Sequence, residues 1–255
     1  MAAVPVLHAE AAIKLMAIWG DGPTFMSTDN HTESVFSGIF AANSWGSPES
    51  VSGAGSELQN TAQLIRELPY LLRDLRVHTL LDAPCGDFNW MRHVDLDGIQ
   101  YHGADIVDAL VQRNADRFAS PARRFSKIDL LADPLPQVDL VLCRDCLFHF
   151  SHEDVFRALR AFVNSRSRWL LTTTFTYRAL PRNGNIATGS WTTLNLELPP
   201  FNLPPPRRLI IEGNVTEVTV YPTAQGSVHY PHNDRSLGLW LLEDVHDTLR
   251  RIGRA

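Results

Sequence analysis

Cysteine, lysine and long apolar runs are all scarce in this chain, and each shortage closes off a class of protein. Three cysteines, Cys85, Cys143 and Cys146, are too few and too scattered for a disulfide framework, which predicts a reducing compartment. No uncharged apolar run approaches the roughly 20 residues of a membrane-spanning helix, so no membrane partner is expected. The alanine-rich first twenty residues carry Glu10 and Lys14 and no basic leader precedes them. That argues against a secretory signal, and the expected location is cytoplasmic. Lys14 and Lys127 are the two lysines, and a net charge of −5 gives no pull toward nucleic acid or an anionic bilayer. A hydrophobic content of 44% and a charged content of 20% then point to an ordinary globular protein. Its 255 residues are long for one domain without requiring two.

The order of patterns along the chain suggests its architecture. Residues 8–19 (HAEAAIKLMAIW) have helical character, ended by Gly20, Gly22 and Pro23. Residues 41–56 are small, polar and glycine-rich, hence a loop. Ser56 and Gln59 have the form of a capping box, which predicts a helix from there to Pro69 and a second short one over YLLRDL. From residue 77, short apolar runs alternate with amphipathic segments. VHTLLDA, IQYHGADI, RFSKIDLL, VDLVLCRD and RWLLTTTF read as strands. FNWMRHV, DALVQRNADRF and HEDVFRALRAFV read as helices between them. That alternation predicts an α/β fold with a mainly parallel, doubly wound sheet. The proline-rich stretch 181–208 breaks the rhythm and reads as an irregular insertion over the sheet's carboxyl edge, with Trp191, Leu194, Leu196 and Phe201 to pack it. NVTEVTVY and SLGLWLLED are expected to pair as an antiparallel hairpin at the sheet edge.

Ligands of open parallel sheets bind beyond the strand carboxyl ends. The first strand here ends at Asp82, and the turn that follows, within LDAPCGDFNW, has a single glycine. A dinucleotide needs close approach of backbone to pyrophosphate, which spaced glycines permit. Pro84 removes a donor and Phe88 adds bulk, so phosphate cradling is disfavoured. Twenty-three residues after Asp82 comes Asp105, at the end of the second strand, where a carboxylate can accept both hydroxyls of a ribose. A turn without phosphate donors and a ribose acceptor together suggest a nucleoside cofactor.

On these residues the chain resembles the class I S-adenosylmethionine-dependent methyltransferases, over roughly residues 60–175. Asp82, Cys85 and Gly86 fall in register with that family's glycine-rich first motif, and ADI (104–106) with its ribose-binding acidic motif. KIDLLADPLPQVDLVLCRDCLFHFSHED (127–154) matches the stretch that holds its adenine contact and fourth strand. The blocks WGSPESVSG, APCGDFNW, CRDCLFH and LNLELPPF are similar to those of a narrower bacterial subfamily of unsettled substrate. The resemblance implies a Rossmann-like fold and S-adenosyl-L-methionine as cofactor. It places Asp82, Ala83, Pro84, Cys85 and Gly86 beside the methionine part, Asp105 on the ribose, Ile106 on the adenine, and Asp129 with Leu130 at the adenine edge. Arg144 and Asp145 would face the transferred methyl or the methionine tail. The missing glycines at 84 and 88 are the departure from the family. Residues 1–255 then form one methyltransferase domain: a cap and lid (1–75), a core (76–180), an insertion shaping the acceptor pocket (181–210), and an edge hairpin with the C-terminus (211–255).

Several residues keep two readings. Trp45 is either ordinary core beside a flexible entrance loop or, with Ser50, part of a lid whose hydroxyls and donors meet the cofactor's carboxylate. His149 is either a packed histidine or, with Asp145, a general base that takes a proton from the acceptor. Asn183, Asn185, Trp191 and Asn195 are candidates for the acceptor pocket. Cys143-x-x-Cys146 lacks the second pair that a structural zinc needs, so no metal is expected; His229 and His232 read as surface loop residues as readily as ligands. The expected function is methyl transfer to an oxygen or nitrogen of a small molecule, without a nucleic-acid partner. The alternatives are a nicotinamide-dependent oxidoreductase and a non-catalytic binding module on the same sheet.

Overall fold

The computed structural model describes residues 31–176, 182–212, 218–223, 226–231 and 234–255. The helix expected over 8–19 and His232 lie outside these residues, as does the side chain of His229. Residues Thr32–Ala255 pack as one compact unit. Its sheet has seven strands, β1 (Thr79–Asp82), β2 (Gln100–Asp105), β3 (Arg123–Lys127), β4 (Leu140–Cys143), β5 (Trp169–Phe175), β6 (Arg208–Ile211) and β9 (Arg235–Leu241), in the order β3-β2-β1-β4-β5-β9-β6. The first five run parallel, and β9 is antiparallel to both of its neighbours. Between β1 and β4 the winding direction reverses, and this is where such sheets open a crevice at their carboxyl edge.

The parallel strands are short because both faces are covered, and their residues alternate between two cores. Leu80, Leu140, Leu142 and Leu171 face helix α2 (Leu58–Asp74), which brings Leu64, Leu68, Leu71 and Leu72. Leu81, Val141, Cys143 and Leu170 face α4 (His152–Asn164) and α5 (Leu242–Arg251) through Val155, Leu159, Phe162, Val245 and Leu249. Helix α3 (Asp108–Phe118) connects β2 to β3, and α1 (His31–Ala41) precedes the lid loop.

Four expectations need correction. Pro69 does not divide the helix: α2 runs through it. An interior proline costs about 3 kcal/mol, but the last turn buries Leu71 and Leu72, worth about 1.5–3 kcal/mol each. The capping box is absent, since Glu57 occupies the N-cap without a side-chain bond and Leu58 N instead donates to Glu49 Oε1 at 2.8 Å. FNWMRHV forms only a 3₁₀ turn, Met91–His93. Phe88 takes a positive φ of 60° and buries its ring 5.2–5.3 Å from those of Tyr101, Phe118 and Phe125, and this turns the chain where a helix would begin. The edge hairpin is also re-paired. β7 (Val218–Thr223) joins β8 (Gly226–Pro231) in a separate two-stranded sheet, while β9 lies between β5 and β6. The local partner is two residues away, a separation that favours hairpin closure. β9, with Leu237 and Leu239 in one core and Trp240 in the other, suits an interior position.

Candidate functional site

The crevice at the carboxyl ends of β1, β2 and β4 opens into a cavity of about 310 Å³, within the range of small-ligand sites. Asp82, Ala83, Pro84, Cys85 and Gly86 line it from the β1 turn. Asp105 and Ile106 come from the end of β2, Asp129 and Leu130 from beyond β3, and Arg144, Asp145 and His149 from beyond β4. Trp45 lines it from the lid, and Trp191 from the insertion. One sheet edge therefore gathers residues more than a hundred positions apart.

The β1 turn is closed to anions. Ala83 N donates to Leu142 O, Cys85 N to Ala104 O, Gly86 N to Asp105 Oδ2 at 3.1 Å, and Asp87 N to Ser52 Oγ at 3.0 Å. Pro84 has no N–H. With its donors engaged inside the protein and only a 3₁₀ turn behind it, the loop offers neither free amides nor a helix terminus to a pyrophosphate. Gly86 is required here on two counts: its φ is +55°, and a Cβ would overlap Ser52 Oγ.

Two carboxylates face this turn. Asp82 is buried and accepts from Tyr101 Oη at 2.7 Å. Burial pushes its pKa up to about 7, against the opposing effects of the Tyr101 bond and of Arg144. Asp105 accepts from Val107 N at 3.0 Å and from Gly86 N, and burial, opposed by these bonds, pushes it up to about 6. Both acids are thus short of positive charge. At the other end of the crevice the balance differs. Arg144 donates to both Glu212 oxygens, the nearer at 2.6 Å, and to Gly55 O at 2.7 Å. Asp145 Oδ2 lies 3.1 Å from Arg144 and 3.0 Å from Arg235, and Arg235 lies 3.3 Å from Glu212. Burial raises the Asp145 pKa, but the two arginines outweigh it and hold the carboxyl below its usual range. Asp145 is therefore a poor proton acceptor.

His149 Nδ1 lies 2.8 Å from Ser190 O. A carbonyl only accepts, so Nδ1 carries the proton and Nε2 keeps its lone pair. Nε2 has no hydrogen-bond partner among the described residues. Burial lowers the His149 pKa despite the raising effects of the Ser190 carbonyl and Asp145, so the ring is neutral at pH 7. A neutral imidazole with an open lone pair in a cavity can take a proton.

The lid is held from beneath. Ser50, expected at the cofactor, does not line the cavity; its hydroxyl donates to the Asp87 carboxylate, which also accepts from Val51 N. The neighbouring Val51–Ser56 does line it. Helix α1 forms another wall that the sequence did not reveal: Phe36 lies 6.0 Å from Phe150, Phe40 lies under Arg113, and Glu33 pairs with Lys127 at 2.6 Å. Its apolar residues Val35, Phe36, Ile39 and Phe40 were the available signal. Arg235 and Glu212, also unanticipated, had none, because each is brought in by a distant strand. Of the insertion's candidates, Trp191 reaches the cavity. Asn183 and Asn195 bond within the insertion, and Asn185 accepts from His152 N at the start of α4. Cys143 and Cys146 are buried free thiols, and no cluster able to hold a metal occurs among the described residues.

No protein-family model matches the sequence, and no curated protein does. Solved structures do. The Burkholderia thailandensis 1,6-didemethyltoxoflavin-N1-methyltransferase, crystallised with 1,6-didemethyltoxoflavin and S-adenosylhomocysteine, matches at TM-score 0.52 and 14% identity, over 87% of this chain and 92% of its own. Magnesium protoporphyrin IX methyltransferase from Synechocystis PCC 6803, with bound SAH, matches at TM-score 0.44 and 12% identity, over 91% and 94%. At such identity the likeness is one of fold, and the first match carries it: the chain has the Rossmann-like fold of the class I S-adenosylmethionine-dependent methyltransferases.

Proposed function

We propose that this protein is an S-adenosylmethionine-dependent methyltransferase acting on an oxygen or nitrogen of a small molecule. The observation that carries the reading is the pair of buried carboxylates, Asp82 and Asp105, short of positive charge beside a turn whose amides are engaged. A nucleoside bearing a sulfonium and no phosphate fits both features. A pyrophosphate fits neither, which sets aside the nicotinamide alternative. The fold match to an enzyme crystallised with S-adenosylhomocysteine supports the same cofactor. A cavity of about 310 Å³, and the absence of a strongly basic composition, favour a small acceptor over nucleic acid. Among the described residues no helix is long and apolar enough to cross a membrane. Three buried free thiols suit a reducing cytoplasm.

When bound, S-adenosylmethionine supplies a methyl carbon made electrophilic by its sulfonium. Asp105 would accept the ribose hydroxyls on the lone pairs left by its two backbone donors. Ile106 and Leu130 would flank the adenine, with Asp129 at its edge. Asp82 and the turn Ala83–Gly86 would border the methionine part, and Trp45 and Arg144 would close over it from the lid side. His149 Nε2 would take the acceptor's proton as its oxygen or nitrogen bonds to carbon. The protein's larger contribution is alignment and exclusion of water under α1 and the lid, an effect that can lower a barrier by about 7–11 kcal/mol. Calorimetry tests the cofactor directly. S-adenosylmethionine and S-adenosylhomocysteine should both bind, while a nicotinamide dinucleotide should give no heat; the reverse pattern overturns the reading.

A further inference from the structure

The cavity has two chemically distinct ends, and the end away from Asp105 says what enters it. Its wall is a run of rings. Trp45 lies 5.7 Å from His149 with the planes 32° apart, and His149 lies 4.5 Å from Phe148. Phe148 lies 6.3 Å from Trp191, which also meets Phe175 at 6.2 Å. Trp45 and Trp191 remain 39% and 58% exposed, so two of the largest apolar side chains in the molecule leave much of their surface to whatever fills the cavity mouth. Aromatic side chains left open in this way gain most from a flat partner, because ring–ring contact adds to simple area burial.

Charge narrows the class. Among the described residues, the ionic groups at this end are two arginines and two acids, Arg144, Arg235, Asp145 and Glu212, with contacts of 2.6–3.3 Å between them. The quartet sums to zero, so among the described residues it offers neither an anionic nor a cationic acceptor a net opposite charge. An aromatic cage could hold a cation, but a sulfonium would already lie alongside and repel it. His149, neutral and with Nδ1 tied to Ser190 O, needs an acidic O–H or N–H opposite Nε2. From these observations we infer that the acceptor is a neutral, planar aromatic molecule bearing a hydroxyl or ring N–H, held against Trp191 and Trp45 with that group at His149.

This inference rests on the methyl-transfer reading, and a single set of titrations separates the two. S-adenosylhomocysteine is first bound to the full chain. The complex is then titrated with 2-naphthol, with 2-decalol (its saturated counterpart) and with the anion 6-hydroxy-2-naphthoate. Binding of 2-naphthol at least about ten-fold tighter than either of the others supports the inference. Trp191→Ala should weaken 2-naphthol about ten-fold and leave S-adenosylhomocysteine affinity within about two-fold, and Trp191→Phe should recover most of the loss. Trp191 is more than half exposed, so the variant should fold, and its retained cofactor affinity would establish that it has. Equal binding of the saturated alcohol, preference for the anion, or indifference to Trp191→Ala overturns the inference while the cofactor reading stands. Failure of S-adenosylhomocysteine to bind the wild-type chain overturns both.

Discussion

Asp82 and Asp145 are the same side chain at the same edge of the same sheet, yet burial has opposite outcomes for them. At the β1–β2 end, Asp82 and Asp105 are buried with hydroxyl and amide donors but no cation in contact, and both are pushed up. At the β4–β9 end, Asp145 is somewhat more open, its side chain 18% exposed, and the two arginines it touches push it down. Desolvation alone therefore does not set a carboxylate's state; the nearest charge does. Under the methyl-transfer reading a sulfonium would complete the first end, whereas the charges at the second already pair with one another.

The largest expected effect tests whether chemistry belongs to the neutral end. His149→Ala should lower kcat by about 10²- to 10⁴-fold for a hydroxyl acceptor, with cofactor affinity unchanged by calorimetry. In the wild type, kcat at saturating cofactor should rise with pH through a value below 6.5, as the imidazole loses its proton, and then level off; the variant should lack that limb.

Next in size is the self-compensation of the quartet. Glu212→Ala leaves Arg144 buried with one of its two acidic partners, and removing one member of such a pair typically costs about 3–5 kcal/mol of stability, to be read by denaturant unfolding. Because Arg144 also holds Gly55 O, the same variant should loosen the lid. An unchanged midpoint would mean the two ends do not differ as described.

Asp105→Asn probes the incomplete end. Losing a charge-assisted pair of ribose bonds should weaken S-adenosylmethionine by roughly 10- to 150-fold, and the free protein's thermal stability should fall, since the Asn amide nitrogen then faces one of the two backbone N–H groups that Asp105 accepts from.

A further effect is on stability against pH. A carboxyl whose folded pKa is raised contributes stability that is fully present below its unfolded value and lost as pH rises through the folded one. Asp105 and Asp82 should therefore lower the free protein's Tm progressively between about pH 4 and pH 7. A sulfonium beside them favours the ionised forms, so the Tm gain from S-adenosylmethionine should grow over the same range. Asp82→Asn should flatten both trends, as followed by differential scanning fluorimetry.

Much of this was legible along the chain, and the exceptions share a cause. The five parallel strands, α3 and α4 were read where they lie because alternation and 3.6-residue periodicity are local properties. Pro69 and FNWMRHV misled for the same reason. Local rules set a helix break at one and a helix at the other, whereas burial of Leu71 and Leu72 and insertion of Phe88 among three aromatic rings decided otherwise. Candidate site residues that end strands, such as Asp82 and Asp105, were visible because strand ends in such sheets converge. Glu212 and Arg235 were not, since no spacing marks them; the wall made by α1 was marked only by the apolar residues Val35, Phe36, Ile39 and Phe40.

The sequence by itself determined the parallel α/β core, the turn at Asp82 and the N–H that Pro84 removes from it, because these depend on neighbours in the chain and on which residues carry an N–H. Only the tertiary structure decided which acids are compensated, where the lid is latched and which rings face the cavity. Those outcomes depend on charges and surfaces brought together from as far apart as Gly55 and Arg235, and on how much water their meeting leaves behind.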